Sequence, residues 1–290
     1  MKHLVTIAFI STCLFSFGQS ESYWNNYANF NPAMSGFQYD QHATATYYNY
    51  YPSLSGSYDG IFADAGINLA KNHGIGVVYS GDFDDFAASH KALVNYNYQL
   101  HFKKAGKLSL GTGIGYGVYT VHNALSSILT SGEKVGSFEL NLGASYNWRN
   151  VFVGFSATNL MPMDDLEYPF ISFNSRYRGY NFHAQHTARI AEKFQLITRV
   201  LYTYENGFQR LQPNLTVAFM GKYSLGASYQ ARDGFGINAG WDILNKFRVA
   251  YNYSATVSAL NNGVSGGKHE LSIGYVLKKK PVLVTKIVRE

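Results

Sequence analysis

From Leu108 to Thr120 the chain reads Leu-Ser-Leu-Gly-Thr-Gly-Ile-Gly-Tyr-Gly-Val-Tyr-Thr. In an extended strand Leu108, Leu110, Ile114, Tyr116 and Val118 share one face, and Ser109, Gly111, Gly113, Gly115 and Gly117 share the other. The same period-two alternation recurs along nearly the whole chain. Runs bounded by turn residues number about fourteen, the first at 41–51 and the last at 269–278. This pattern predicts an all-β fold, a closed antiparallel transmembrane β-barrel whose apolar face meets lipid and whose small and polar face lines the lumen. An even strand number suits such closure.

Loop lengths sort by side. If the first strand rises from the periplasm, the periplasmic turns are Lys71-Asn72, Lys103-Lys104-Ala105, Arg149-Asn150, Glu192-Lys193, Gly221-Lys222 and Asn245-Lys246. All are short. The opposite set includes Val121 to Lys134, Met161 to Tyr177 and Val257 to Lys268, so every long connection is extracellular. A sandwich has no reason to sort its loops this way, whereas an outer-membrane barrel does. Charge obeys the same geometry, because a lipid-facing Lys or Arg costs about 2–4 kcal/mol near the midplane. Phe138, Leu140, Leu142, Ala144, Tyr146 and Trp148 share an uncharged face, with Glu139, Asn141 and Gly143 opposite. Phe247, Val249, Tyr251 and Tyr253 likewise oppose Arg248, Asn252 and Ser254, and Lys91, Arg189 and Arg199 fall on the inferred lumen side.

The amino terminus reads as a secretory signal over residues 1–18: a basic start at Lys2, an apolar run, and the small residues Ser16 and Gly18 before Gln19. The single cysteine, Cys13, leaves with it, and Thr12 before Cys13 argues against a lipoprotein. Later runs are interrupted by glycine, asparagine and serine, so none reaches the ~18–20 apolar residues of a helical span. The chain holds 24 Tyr and 20 Phe with a net charge of +6. Its basic residues fall in turns, loops and scattered lumen positions rather than on one surface, which excludes a nucleic-acid reading. The predicted organisation is a signal at 1–18, a periplasmic N-terminal segment at 19–40, the barrel at 41–278 and a periplasmic tail at 279–290.

Two motifs then become informative. Asn29-Phe30-Asn31-Pro32-Ala33-Met34-Ser35-Gly36 precedes the first strand, and Lys268-His269-Glu270-Leu271-Ser272-Ile273-Gly274-Tyr275 opens the last. Together with the glycine-rich strand at 107–117 and the run at 150–160, they resemble the PorP/SprF family of Bacteroidetes. That resemblance implies an outer-membrane component of the type IX secretion and gliding-motility machinery. It implies as partners the outer-membrane lipid, other secretion components and a large secreted cargo with a C-terminal sorting domain. No cofactor, nucleic acid or small-molecule substrate is expected. One departure stands out: many outer-membrane barrels end on an aromatic residue, whereas this chain runs on past Leu277 to Glu290.

The candidate motif or partner-contact residues are Asn31, Pro32, Ala33, Gly36, His269 and Glu270. The segment Asn31-Pro32-Ala33 suits a docking element or a small plug under the barrel; the plainer reading is a rigid turn, since Pro32 fixes φ and restrains Asn31. His269 and Glu270 suit a lumen or partner contact, or simply a pairing with the neighbouring strand. The acidic groups Asp82, Asp84, Asp85 and Asp164, Asp165, Glu167 have the oxygen ligands Ca²⁺ takes but no EF-hand pattern, and read as solvated loop tips. His183 and His186 face opposite sides of a strand, against joint metal binding. No Gly-x-Ser-x-Gly elbow and no Ser, His and Asp grouping is present, so no enzyme is predicted. The alternating glycines sit within a strand, not before a helix, and are read as packing devices of a small lumen rather than a phosphate loop. The alternative to a secretion role is a diffusion pore or a hydrophobic-solute transporter.

Overall fold

The computed structural model describes residues 22–50, 58–70, 72–85, 87–103, 105–121, 134–161, 166–168, 171–173, 178–205, 207–230, 234–256 and 267–279. The strands in chain order are β1 (Tyr39–Tyr50), β2 (Tyr58–Ala70), β3 (His73–Phe83), β4 (Ala87–Phe102), β5 (Gly106–Val121), β6 (Lys134–Trp148), β7 (Val151–Thr158), β8 (Leu166–Tyr168), β9 (Ile171–Phe173), β10 (Gly179–Ala191), β11 (Phe194–Glu205), β12 (Phe208–Phe219), β13 (Tyr223–Gln230), β14 (Gly234–Ile243), β15 (Phe247–Thr256) and β16 (Lys268–Lys279). Fourteen of them form one closed antiparallel barrel. The remaining two, β8 and β9, make a separate two-stranded ribbon within the connection from β7 to β10, which the sequence reading held as loop. β1 and β16 close the ring, with Tyr50 opposite Lys268 and His42 opposite Val276. The predicted signal at 1–18, the tail past 279, and most of the long loops lie outside the described residues.

Every connection at the end where β1 begins spans two or three residues: 71–72, 103–105, 149–150, 192–193, 220–222 and 244–246. Tight hairpins need backbone in the left-handed region, which matches the twist of the flanking strands. Accordingly φ is positive at Arg149, Met220, Gly221, Leu244 and Asn245. The walls alternate as the sequence pattern requires: Phe138 is 68% exposed on the outer face, while its neighbour Glu139 is 2% exposed. Aromatic and aliphatic side chains on the outer face face hydrocarbon, which is the solvent that stabilises them there.

Eight strands make a barrel whose interior side chains just fill it. Fourteen enclose more, and the extra space is taken by the chain's own N-terminal segment. The sequence reading set residues 19–40 beneath the barrel. The described part of that segment from Ser22 to Phe37 sits inside the ring, buried at Ser22, Tyr23, Asn26, Tyr27, Ala28, Asn31, Ala33, Met34, Ser35 and Phe37.

Candidate functional site

The plug is built from three single-turn 3₁₀ pieces, Tyr23–Asn25, Tyr27–Asn29 and Pro32–Met34. Short 3₁₀ turns leave backbone groups without internal partners, so the lumen wall must supply them. Asn31 caps the third turn: its Oδ1 accepts from the Ala33 N–H at 3.0 Å, and Pro32 occupies the first position, where no N–H is needed. The Asn31 Nδ2 donates to Ser145 Oγ at 3.1 Å and to the Ala144 carbonyl at 3.2 Å, across the lumen wall. The motif forms a capped turn held against the lumen wall.

From there the segment is stitched to strands around the ring and along its height. Near the short-turn end, Lys107 Nζ donates to the Phe37 carbonyl at 2.6 Å, and Asn97 Nδ2 donates to the Ser35 carbonyl. Ser109 Oγ donates to the Ala33 carbonyl at 2.8 Å and Ser156 Oγ to the Phe30 carbonyl at 2.5 Å. Higher up, Asn95 Nδ2 donates to the Ala28 carbonyl at 3.1 Å, and Asn26 Nδ2 donates to Thr46 Oγ1 at 2.7 Å. Tyr23 OH donates to the Gln212 carbonyl at 3.1 Å on the far wall. The segment thus climbs from the periplasmic end, and the Ser22 N–H donates to Glu270 Oε2 at 2.7 Å, two residues from the start of β16 at the opposite rim.

Lumen glycines make room for it. A Cβ on Gly111 would stand 2.5 Å from the Ala33 nitrogen; one on Gly143 would strike the Asn31 side chain; and one on Gly76 would lie 2.7 Å from Ser35 Oγ. Close packing in the lumen was legible in the sequence. That the partner is the N-terminal segment was not. Gly36, at φ +65, turns the chain out of the plug toward β1, and a side chain there would also press on the Ile67 carbonyl at 3.0 Å.

The rest of the interface is aromatic and cationic. Tyr27, Phe30 and Phe152 surround the fully buried His183 ring at centroid distances of 5.0, 5.7 and 5.0 Å. His186 faces out, within 2.8 Å of Asn150 Nδ2, so the two histidines do take opposite sides. The Arg199 guanidinium lies 5.4 Å from the Trp24 ring and donates to Gln185 Oε1 at 3.0 Å, Asn214 Oδ1 at 2.9 Å and Thr216 Oγ1 at 3.0 Å. Burial pushes the Tyr23 and Tyr27 phenols above their ordinary range, so both stay neutral. Sequence reasoning missed Ser22, Trp24, Asn26 and Arg199 as plug contacts. The available signal was the Tyr, Trp, Phe and Asn density of residues 23–31, too aromatic for a solvated tail.

His269 and Glu270 part company. His269 sits on the outer face, its Nδ1 2.6 Å from Tyr251 OH, in the aromatic girdle. Glu270 points inward and accepts from both the Ser22 N–H and Tyr50 OH, the latter at 3.0 Å. The acidic tip is structural where described: Asp82 accepts from Tyr48 OH, and Asp84 Oδ1 accepts from the Ala87 N–H at 2.7 Å. Asp164 and Asp165 lie outside the described residues. Among the described residues no group of three or more His, Cys, Asp or Glu side chains is placed to hold a metal. The plug leaves a cavity of about 140 Å³ on its extracellular side, bounded by Tyr23, Asn29, Phe30, Lys91, Asn181 and Glu205, and one of about 40 Å³ beside Tyr39, Asp64 and Arg248. The arrangement anchors the segment to the lumen wall around the ring.

A family model described as type IX secretion system membrane protein PorP/SprF matches residues 17–275. No curated protein matches the chain. Among solved structures the chain is similar to the outer membrane protein Omp33 of Acinetobacter baumannii, at 10% identity and a TM-score of 0.51, covering 83% of this chain and 100% of that one. It is also similar to the toluene transporter TbuX of Ralstonia pickettii, at 10% identity and TM-score 0.50, covering 86% and 92%. The toluene transporter TodX of P. putida follows at 8% identity and TM-score 0.50, covering 88% and 95%. At these identities the likeness shows the outer-membrane barrel fold alone.

Proposed function

The chain belongs to the PorP/SprF family of type IX secretion system membrane proteins, and from that premise we propose that it is a non-enzymatic outer-membrane scaffold that supports export or surface attachment of a large cargo protein. Its location is the outer membrane, as family and fold agree. The observation that carries the scaffold reading is the plug: Ser22 to Phe37 occupies the lumen and is hydrogen-bonded to at least β1, β4, β5, β6, β7, β12 and β16. A barrel that solutes cross needs a continuous path; one that presents surfaces to partners does not. On this reading the long connections at 121–134, 160–177 and 257–268 face a cargo bearing a C-terminal sorting domain, and the tail at 279–290 meets periplasmic secretion components.

Deleting the gene is expected to abolish export or surface retention of one specific large protein, with a plasmid copy restoring it. Unchanged secretion and surface display in the deletion strain would sink the proposal. The second reading, a diffusion pore or hydrophobic-solute transporter like the toluene transporters named above, requires the plug to leave. Steady single-channel currents from the purified, intact protein in planar bilayers would favour it.

A further inference from the structure

The short-turn rim carries a ring of cations to which the scaffold proposal assigns no part. Lys103, Arg149, Lys193, Lys222 and Lys246 stand in five of the six short turns, all exposed. Each adjoins in sequence an exposed aromatic residue, respectively Phe102, Trp148, Phe194, Tyr223 and Phe247. Arg149 lies 4.7 Å over the Trp148 ring, holding its charge at the level of that girdle. Glu192 is the one carboxylate among the described residues of these turns, and the Arg189 guanidinium reaches its backbone carbonyl at 2.8 Å. The opposite rim is mixed: among its described residues Asp84 and Asp85 stand in the connection from β3 to β4, the exposed Lys134 opens β6, and the exposed Arg178 directly precedes β10.

Successive crown cations are two strands apart, about 10 Å along the rim, which is near the Debye length at physiological salt. A protein partner approaching from below would select one side of the ring. These charges instead recur from the β4–β5 turn to the β14–β15 turn, beside side chains that already face lipid. Interfacial aromatics mark the headgroup level, and flexible Lys and Arg stems reach from there to phosphate. We propose that this rim is a binding site for anionic phospholipid headgroups of the periplasmic leaflet. The crown gathers a phosphate-bearing lipid annulus and sets the depth and direction in which the barrel sits.

The test uses the full-length protein in nanodiscs of phosphatidylcholine with an added fraction of phosphatidylglycerol, reading retained lipid by native mass spectrometry after mild detergent extraction. Phosphatidylglycerol is expected to be enriched over phosphatidylcholine, and the enrichment to fall as salt rises. A variant combining K103Q, R149Q, K193Q, K222Q and K246Q should lose it by about tenfold or more, since each basic residue near an anionic surface contributes. The set K103R, K193R, K222R and K246R should retain it. Heat-modifiable electrophoretic mobility reports that each variant remains a folded barrel. Equal retention of the two lipids, or unchanged retention in the glutamine variant, overturns the proposal. So does loss of an acidic periplasmic protein from that variant with lipid retention unaltered. None of these readouts involves cargo display, so the outcome is separate from that of the scaffold role.

Discussion

At the scale of single residues, the lumen glycines are the sharpest probes, because each reports on one neighbour. Gly143 faces the Asn31 side chain, whereas a Cβ on Gly274 would only touch Thr44 Oγ1 at 3.4 Å, an ordinary contact. Gly143→Leu is therefore expected to destabilise the barrel by about 1–3 kcal/mol through overpacking, or to displace the plug. Gly274→Ala should stay within about 0.5 kcal/mol of the parent, as substitutions away from such features do. Urea unfolding midpoints in lipid vesicles compare the two. Glu270 is the second probe. Glu270→Ala leaves the buried Ser22 N–H and Tyr50 OH without their acceptor, at a cost of about 1–3 kcal/mol. Removing the hydroxyl with Tyr50→Phe in the same background should cost less than it does in the parent, which a double-mutant cycle in those unfolding midpoints reads.

At the scale of elements, strand alternation and hairpin chemistry account for nearly all of the wall. β5 and β6 face each other over fourteen paired positions, from Lys107 opposite Asn147 to Thr120 opposite Lys134, and from Leu108 opposite Tyr146 to Val118 opposite Gly136 the apolar side chains stay on one side. A one-residue slip would turn every one of them to the lumen. Position 142 tests this side assignment. Leu142→Arg places a charge in hydrocarbon and is expected to cost about 2–4 kcal/mol near the midplane. Ser145→Ala, on the inner face, removes a partner of Asn31 instead and should cost only about 1 kcal/mol. Refolding yields into lipid separate the two. Where element boundaries moved, as in the ribbon β8–β9, three-residue strands were too short to show a period.

At the scale of the whole molecule, the question is whether the lumen conducts. With the plug in place the intact protein is expected to be silent in planar bilayers. Deleting residues 22–36 should produce steady currents, because a fourteen-stranded wall encloses more space than its own side chains fill. If the deleted form stays silent while remaining folded, the lumen is closed by something other than this segment, and the plug loses its role as the closing element. Restoring the segment as a separate peptide should suppress the currents. Its anchors lie on the wall and survive the deletion, Ser109, Asn95, Thr46 and Gln212 among them.

What the chain determined by local order alone is the wall: its all-β class, the strand number, the outward side of each strand, and the end that holds the tight turns. These follow from a side-chain period of two and from turn residues acting over a few positions, so they can be read without knowing which strands meet. The position of the N-terminal segment could not be. Its partners are far along the chain, Ser22 meeting Glu270 at a separation of 248 residues and Asn31 meeting Ser145 at 114. Those contacts exist only once β1 and β16 close the ring and create an interior. His269 and Glu270 show the same division: alternation put them on opposite faces, but only closure gave Glu270 a backbone amide to hold.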